Sequence, residues 1–128
     1  MTLRISALLL ALMCAASALA ELPPTIKIGI LNDQSGPFSD QSGRGSVVAA
    51  QLAAEDFAKE APGIKVEIVY GDHQNKPDVG SQIVRGWVDR DGVVAVADAV
   101  NSAVGLAIND VLRERPRTFI ASNVGTSD

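Results

Sequence analysis

The sequence predicts an α/β fold, a parallel sheet with helices on both faces in a three-layer, Rossmann-like arrangement. Three observations predict it. Short runs rich in β-branched residues alternate with helix-length stretches whose apolar residues recur every three or four positions. The resulting order, β-α-β-α-β-α-β, belongs to parallel strands joined by right-handed crossovers. Each strand also runs directly into a loop dominated by Ser, Asn, Asp, Gln, Thr and Gly, residues that reverse the chain through side-chain-to-backbone bonds or unusual backbone angles.

The stretch Ile26–Phe38 sets the pattern. Ile26, Ile28, Ile30 and Leu31 with only Lys27 charged read as a strand covered on both faces. Asn32, Asp33, Ser35, Gly36 and Pro37 then end it. A helix is predicted over about 46–59, with Ser46 as N-cap, an apolar face of Val48, Leu52, Ala53 and Phe57, and an i,i+4 pair between Glu55 and Lys59. Ala61-Pro62-Gly63 stops it. The second strand, 64–70, alternates Val66, Ile68 and Tyr70 with Lys65 and Glu67, which suits a position near a sheet edge.

The loop 71–76 leads into a helix opened by Pro77, in the one turn where proline fits. Val79, Ile83, Val84, Trp87 and Val88 form its apolar face, and Arg85 and Asp89 are placed to pair outside it. Trp87, at helical spacing among aliphatics, reads as core rather than as a ligand platform. Val93–Ala97 is uniformly apolar, as a central parallel strand should be. Val104, Ala107, Ile108, Val111 and Leu112 make the next amphipathic helix. It ends at Arg113–Arg117, a cationic run that suits the helix dipole and reads as a solvated end. Thr118–Ala121 is the fourth strand, and 122–128 begins another polar loop.

Composition narrows the function. The 128 residues are 47% apolar, enough to bury a core, and carry a net charge of −4 with scattered basic residues. That excludes disorder and argues against a nucleic-acid or anionic-membrane surface. The N-terminus is a separate segment. Arg4, the apolar run from Ala7 and the Ala18-Leu19-Ala20 cleavage pattern predict a secretory signal peptide over 1–20. An uncleaved membrane anchor is the alternative, disfavoured by the short span. Cys14 is the only cysteine and lacks the small preceding residue of a lipoprotein acceptor. The mature part, 21–128, is then free of cysteine and exported, which fits a bacterial periplasm.

The familiar catalytic and phosphate-binding patterns are missing. Gly36 stands alone after the first strand and Gly43-x-Gly45 comes too late for a dinucleotide fingerprint, while no P-loop lysine occurs. His73, the sole histidine, has no second His or Cys for zinc and reads as a polar loop residue. A Ser–His nucleophile pair would need Ser35, Ser102 or Ser122 beside it, with no G-x-S-x-G elbow to support one. A phosphoreceiver domain shares this fold class, and Asp98 follows the third strand as a phosphoacceptor would. The export signal and the lack of a compact acidic pair after the first strand oppose that reading. What remains is a rim: four strand-to-helix loops, 32–45, 71–76, 98–102 and 122–128, on the carboxyl edge of one sheet. Its N–H groups and helix N-termini suit a small anion such as a carboxylate.

The motifs at that rim carry a resemblance. Ile28-Gly29-Ile30-Leu31 running into Ser35-Gly36-Pro37-Phe38, Asp72 to Pro77, Asp98 to Ser102 and Gly125 to Asp128 together resemble the N-terminal lobe of type I periplasmic solute-binding proteins. The closest likeness is to the Leu/Ile/Val-binding family of ABC importers. The resemblance implies a binding protein, not an enzyme, with no cofactor or metal. Its partners would be a small carboxylate-bearing solute (a branched-chain or other amino acid, or an aromatic acid) and a membrane permease. It further implies that Ser102 and Thr126 grip the carboxylate, with Val124 and Gly125 as backbone neighbours. Gln34, Ser35 and Phe38 would line the cleft. For Ser102, helix capping is the competing role. Val124-Gly125-Thr126 stands where many relatives carry Ala-Ala-Thr, so the threonine role carries over less directly. The family has two lobes about a hinge. Residues 21–128 are thus expected to be one lobe, truncated before a further helix, with the second lobe absent. A ligand-sensing domain of a membrane receptor with the same fold is the alternative function, and an exported enzyme using His73, Asp33, Asp72 or Asp98 as base is a third.

Overall fold

The structure, a computed structural model, describes residues 25–126. The expected signal peptide, Cys14, and the terminal Ser127 and Asp128 lie outside the described residues. Within them the predicted order holds: β1 (Thr25–Asn32), α1 (Gly43–Glu60), β2 (Lys65–Asp72), α2 (Pro77–Gly86), β3 (Val93–Asp98), α3 (Ser102–Glu114) and β4 (Thr118–Ile120). The four strands form one parallel sheet in the order β2-β1-β3-β4. β2 is an edge strand and β3 an inner one, as their residue patterns predict.

This strand order dictates the layers. The chain moves to one flank of β1 for β2, then crosses back to β3 and β4. Right-handed crossovers therefore put α1 on one face and α2 with α3 on the other. The period-two alternation of β1 serves both faces. Leu31 points to the α2/α3 side, where it joins Val84, Trp87, Val93, Val96, Val104, Ile108, Val111 and Leu112 in the core. Ile26, Ile28 and Ile30 face α1. Trp87 is core as predicted, and its ring lies so close over Gly29 that a Cβ there would overlap it.

Several local expectations are corrected. α1 begins at Gly43, not at Ser46, which lies inside the helix and donates its N–H to the Ser42 carbonyl. Gly43 takes φ 38°, a conformation that starts the helix early and that glycine adopts without strain. The predicted apolar face of α1 is not a core face. Val48 and Leu52 are 49% and 56% exposed, and only Val47 among the helix's large apolar residues is buried. Ala50, Ala53, Ala54 and Phe57 face the sheet across an apolar groove of about 410 Å³ floored by Ile26, Ile28, Ile30, Val66, Ile68 and Ala97. Lys59 pairs with Asp56 at 2.7 Å rather than with Glu55. Asp89 pairs with Arg115 at 2.7 Å rather than with Arg85. That bond ties the turn after α2 to the end of α3, so Arg115 is not simply solvated. Trp87–Asp91 continues α2 as a π-helical turn, closed by Gly92 at φ 74°.

The two faces therefore differ in what a truncation costs. Leu31→Ala removes a fully buried side chain and should lower stability by about 2–5 kcal/mol. Leu52→Ala should change it by no more than about 0.5 kcal/mol. Urea-unfolding midpoints of the two variants check this, and equal losses would mean that α1 is packed more tightly than described.

Candidate functional site

The carboxyl edge of the sheet is held by buried polar groups. Asn32 and Asp33 end β1 wholly withdrawn from water. Asn32 Nδ2 donates to the Gly43 carbonyl at 2.6 Å and to Asp98 Oδ2 at 3.2 Å, which joins the start of α1 to the end of β3. The Asp33 carboxylate accepts the N–H groups of Gly36 (2.8 Å) and Phe38 (3.0 Å), folding the first loop onto itself. Asp72, at the end of β2, accepts from the Gln34 N–H (2.9 Å), the Ser35 hydroxyl (2.6 Å) and the Gln74 N–H (2.8 Å). The Gln34 side chain reaches the Gly71 carbonyl at 3.4 Å. Gln34 and Ser35 are thus brought to Asp72, while Phe38 is half-buried with its backbone fixed by Asp33.

The third loop turns under strain. Asp98 and Ala99 have φ of 85° and 67°, uncommon for residues with a Cβ. Their neighbours hold them there. Ala99 N–H donates to the Leu31 carbonyl at 2.8 Å, and Asp98 accepts from Asn32 and, at 3.4 Å, from the Ser122 hydroxyl. The chain then enters α3, whose cap is Asn101. Its Oδ1 accepts the N–H groups of Ala103 (2.7 Å) and Val104 (3.2 Å). Ser102 is therefore the first helical residue and not the cap. Its hydroxyl accepts the Gly125 N–H at 3.1 Å, and its own proton remains to donate. The first turn of α3 contains no acid, so a neutral amide caps the positive end of the helix dipole. Val124 packs on Gly105, and Thr126 lines a shallow cavity with Gly105, Leu106 and Asn109. Of the residues predicted to grip a ligand, Ser102 and Gly125 meet directly, with Val124 and Thr126 beside α3.

Three residues matter more than the sequence indicated. His73 is a loop residue as expected, but a fully buried one. Its Nδ1 accepts the Asn75 N–H at 3.0 Å, which places the ring proton on Nε2. Asn75 Oδ1 in turn accepts from Asn101 Nδ2 at 2.7 Å. Asn75 and Asn101 were visible only as loop residues. The signal that could have found Asn101 is its place immediately before Ser102, since Asn ranks with Ser as a cap.

Burial pushes the His73 pKa below its ordinary 6.5, against the attraction of the Asp33, Asp72 and Asp98 carboxylates. For Asp72, partial burial raises the pKa, but the Ser35 hydroxyl and the Gln34 and Gln74 N–H groups outweigh it and the net shift is downward. A carboxylate held below its ordinary value contributes stability above that value and loses it as pH falls. Asp72→Asn should therefore cost about 1–3 kcal/mol at pH 7, because the hydrogen bonds it weakens are charge-assisted. The gap to the unsubstituted chain should narrow below the ordinary 3.8. Urea unfolding from pH 7 to pH 3 reads this directly, and a gap that stays constant would remove Asp72 from that role.

Comparison with known proteins agrees with this fold. The family profile for periplasmic binding proteins matches residues 25–128. A periplasmic binding protein from Burkholderia mallei is similar at 36% identity and a TM-score of 0.77, over 81% of this chain and 28% of its own. The periplasmic ligand-binding protein of a branched-chain amino acid ABC transporter from Burkholderia xenovorans is similar at 40% identity and a TM-score of 0.74, over 79% of this chain and 27% of its own. The branched-chain amino acid transporter substrate-binding protein of Streptococcus pneumoniae, solved with isoleucine, shares the fold at 22% identity and a TM-score of 0.72, over 80% of this chain and 30% of its own. Among curated proteins none matches. The chain spans less than a third of the length of these structures. Matched across its whole described fold, this chain belongs to the periplasmic binding protein family.

Proposed function

We propose that this chain forms the carboxylate-gripping lobe of an extracytoplasmic solute receptor serving an ABC importer. Residues 1–20 act as its signal peptide, 21–128 form the lobe, and a permease is the partner of the whole receptor. The observation that carries this reading is the start of α3. Ser102 is released from capping by Asn101, its hydroxyl is oriented by the Gly125 N–H, and the helix end has no acid to neutralise it. A carboxylate there gains an O–H donor and the favourable end of a helix dipole. Thr126 and the backbone of Val124 and Gly125 complete the grip, while Gln34, Ser35 and Phe38 shape one wall of the cleft. The solute is an amino acid, branched-chain or other, or an aromatic acid. The similarity to a branched-chain amino acid transport protein at 40% identity supports the amino acids.

A single lobe offers half of a cleft, so affinity in this chain alone is weak. Isoleucine and benzoate, titrated separately and followed by NMR, should shift the amides of Ser102, Gly125 and Thr126 with Kd above roughly 1 mM, the range of a few favourable contacts. Ser102→Ala should weaken that binding about tenfold, the loss of one hydrogen bond to a charged group. Ala103→Glu, at an exposed position in the first turn, should stabilise the helix by about 0.3–1 kcal/mol while weakening binding. Micromolar affinity without a second lobe, or shifts confined to other loops, would overturn the reading.

A further inference from the structure

Asn75 and Asn101 connect the buried histidine to the start of α3. His73 Nδ1 accepts the Asn75 N–H (3.0 Å), Asn75 Oδ1 accepts from Asn101 Nδ2 (2.7 Å), and Asn101 Oδ1 caps the Ala103 and Val104 N–H groups (2.7 and 3.2 Å). Ser102 lies between the cap and the capped residues. Asn75 stands at φ 57° and Gln74 at φ 53°, left-handed conformations that each need local hydrogen bonds to be held. Asp72 holds Gln74 and His73 holds Asn75. The bond from Asn75 exists only while Nδ1 keeps its lone pair. We propose that neutral His73 is a positioning residue for the carboxylate grip, acting through Asn75 and Asn101 on the orientation of Ser102, and that its protonation releases that grip.

The chemistry is one proton taken from solvent. Nε2 already carries a hydrogen, so the added proton goes to Nδ1. Nδ1–H then faces the Asn75 N–H, donor against donor, and the bond is lost. The groups that face the imidazole decide how readily this happens. Asp33 from the first loop, Asp72 from β2 and Asp98 from β3 attract the cation. From α2, Gly80 packs against the His73 Cβ, with Val104 of α3 behind it, while Asp78 in its first turn and Lys76 just before it are exposed to solvent. Among the described residues Nε2 is buried with no hydrogen-bond partner, so none of them steadies the cation on that side. Burial prevails, and the ring stays neutral at pH 7. Because the folded-state pKa is depressed, the arrangement is present above the ordinary 6.5 and is lost only as pH falls through the lowered folded-state value. Solute is then gripped at neutral pH and released in acid.

This inference rests on the carboxylate-grip reading for its consequence, and its test needs no ligand. Hydrogen exchange of the Ala103, Val104 and Gly125 amides in the full 128-residue chain, corrected for intrinsic rates, is followed from pH 7.5 to pH 4.5. Protection should fall about fivefold or more as the His73 ring titrates in parallel NMR spectra, the ratio expected for one lost net hydrogen bond. His73→Asn places an amide oxygen near the Nδ1 position and should keep protection high and independent of pH over that range. Asn75→Gly keeps the left-handed backbone, removes the link without touching the core, and should lower protection at every pH. Protection in the unsubstituted chain that does not follow the ring, or Asn75→Gly protection equal to that of the unsubstituted chain at pH 7.5, would overturn the proposal. If the exchange results hold but isoleucine and benzoate perturb no rim amide at either pH, the grip reading fails and the relay stands.

Discussion

The loops at the carboxyl edge of a parallel sheet have no ladder of their own, so most of the polar groups there are satisfied by side chains. In this lobe that constraint falls on the end of β1. Asn32 and Asp33 are fully buried next to Asp98 and His73, where an unpaired polar atom costs about 1–3 kcal/mol. Asn32 therefore reaches both α1 and β3, Asp33 closes its own loop, and Asp72 draws in the first loop from the neighbouring strand. Once these bonds are fixed, so are the starts of α1 and the turn at Asp98. The position of α3 follows from that turn.

The two faces of the sheet are finished to different degrees. On the α2/α3 side Gly29 admits the Trp87 ring, and Leu31, Val96 and Ile108 are fully closed off. The helix that presents Ser102 is thereby seated on the closed side. On the α1 side an apolar groove stays open, with Phe57 39% exposed at its edge. The rim depends on the closed side. Val104 and Gly105, in the first turn of α3, pack against Gly80 and Val124, which seats the turn that carries Ser102.

The strands were legible because their residues leave few choices. β-branched runs ended by Asn, Asp and Gly make strands in almost any context, and the strand-helix alternation fixed the topology. The rim as a location was legible for the same reason. Depth was not. Val48, Leu52 and Phe57 have helical spacing, but periodicity says only that a helix has an apolar side, not that anything covers it. The burial of His73 was not legible, because its neighbours in sequence are polar, whereas those in space include Gly80, packed against its Cβ. Asn101 and Ser102 are adjacent residues of equal capping aptitude, and only the bonds to Ala103 and Val104 tell which one caps.

A rim proposed to hold an anion yet carrying Asp33, Asp72 and Asp98 looks contradictory, and the hydrogen bonds resolve it. Asp33 is turned to two N–H groups of its own loop. Asp72 faces three donors from the first two loops, and Asp98 faces Asn32 and Ser122. Each carboxylate is occupied by donors at the base of the rim. At the start of α3 the cap is an asparagine, which satisfies the same N–H groups that an aspartate would but adds no charge. An aspartate there would gain a stronger bond to the helix end at the cost of cancelling the dipole that the proposed carboxylate would use. It would also lose the amide N–H donated to Asn75. Asparagine, unlike aspartate, can accept from two backbone N–H groups and donate to a neighbouring loop at the same time without adding charge. Both the neutrality of the site and its link to His73 follow from that choice.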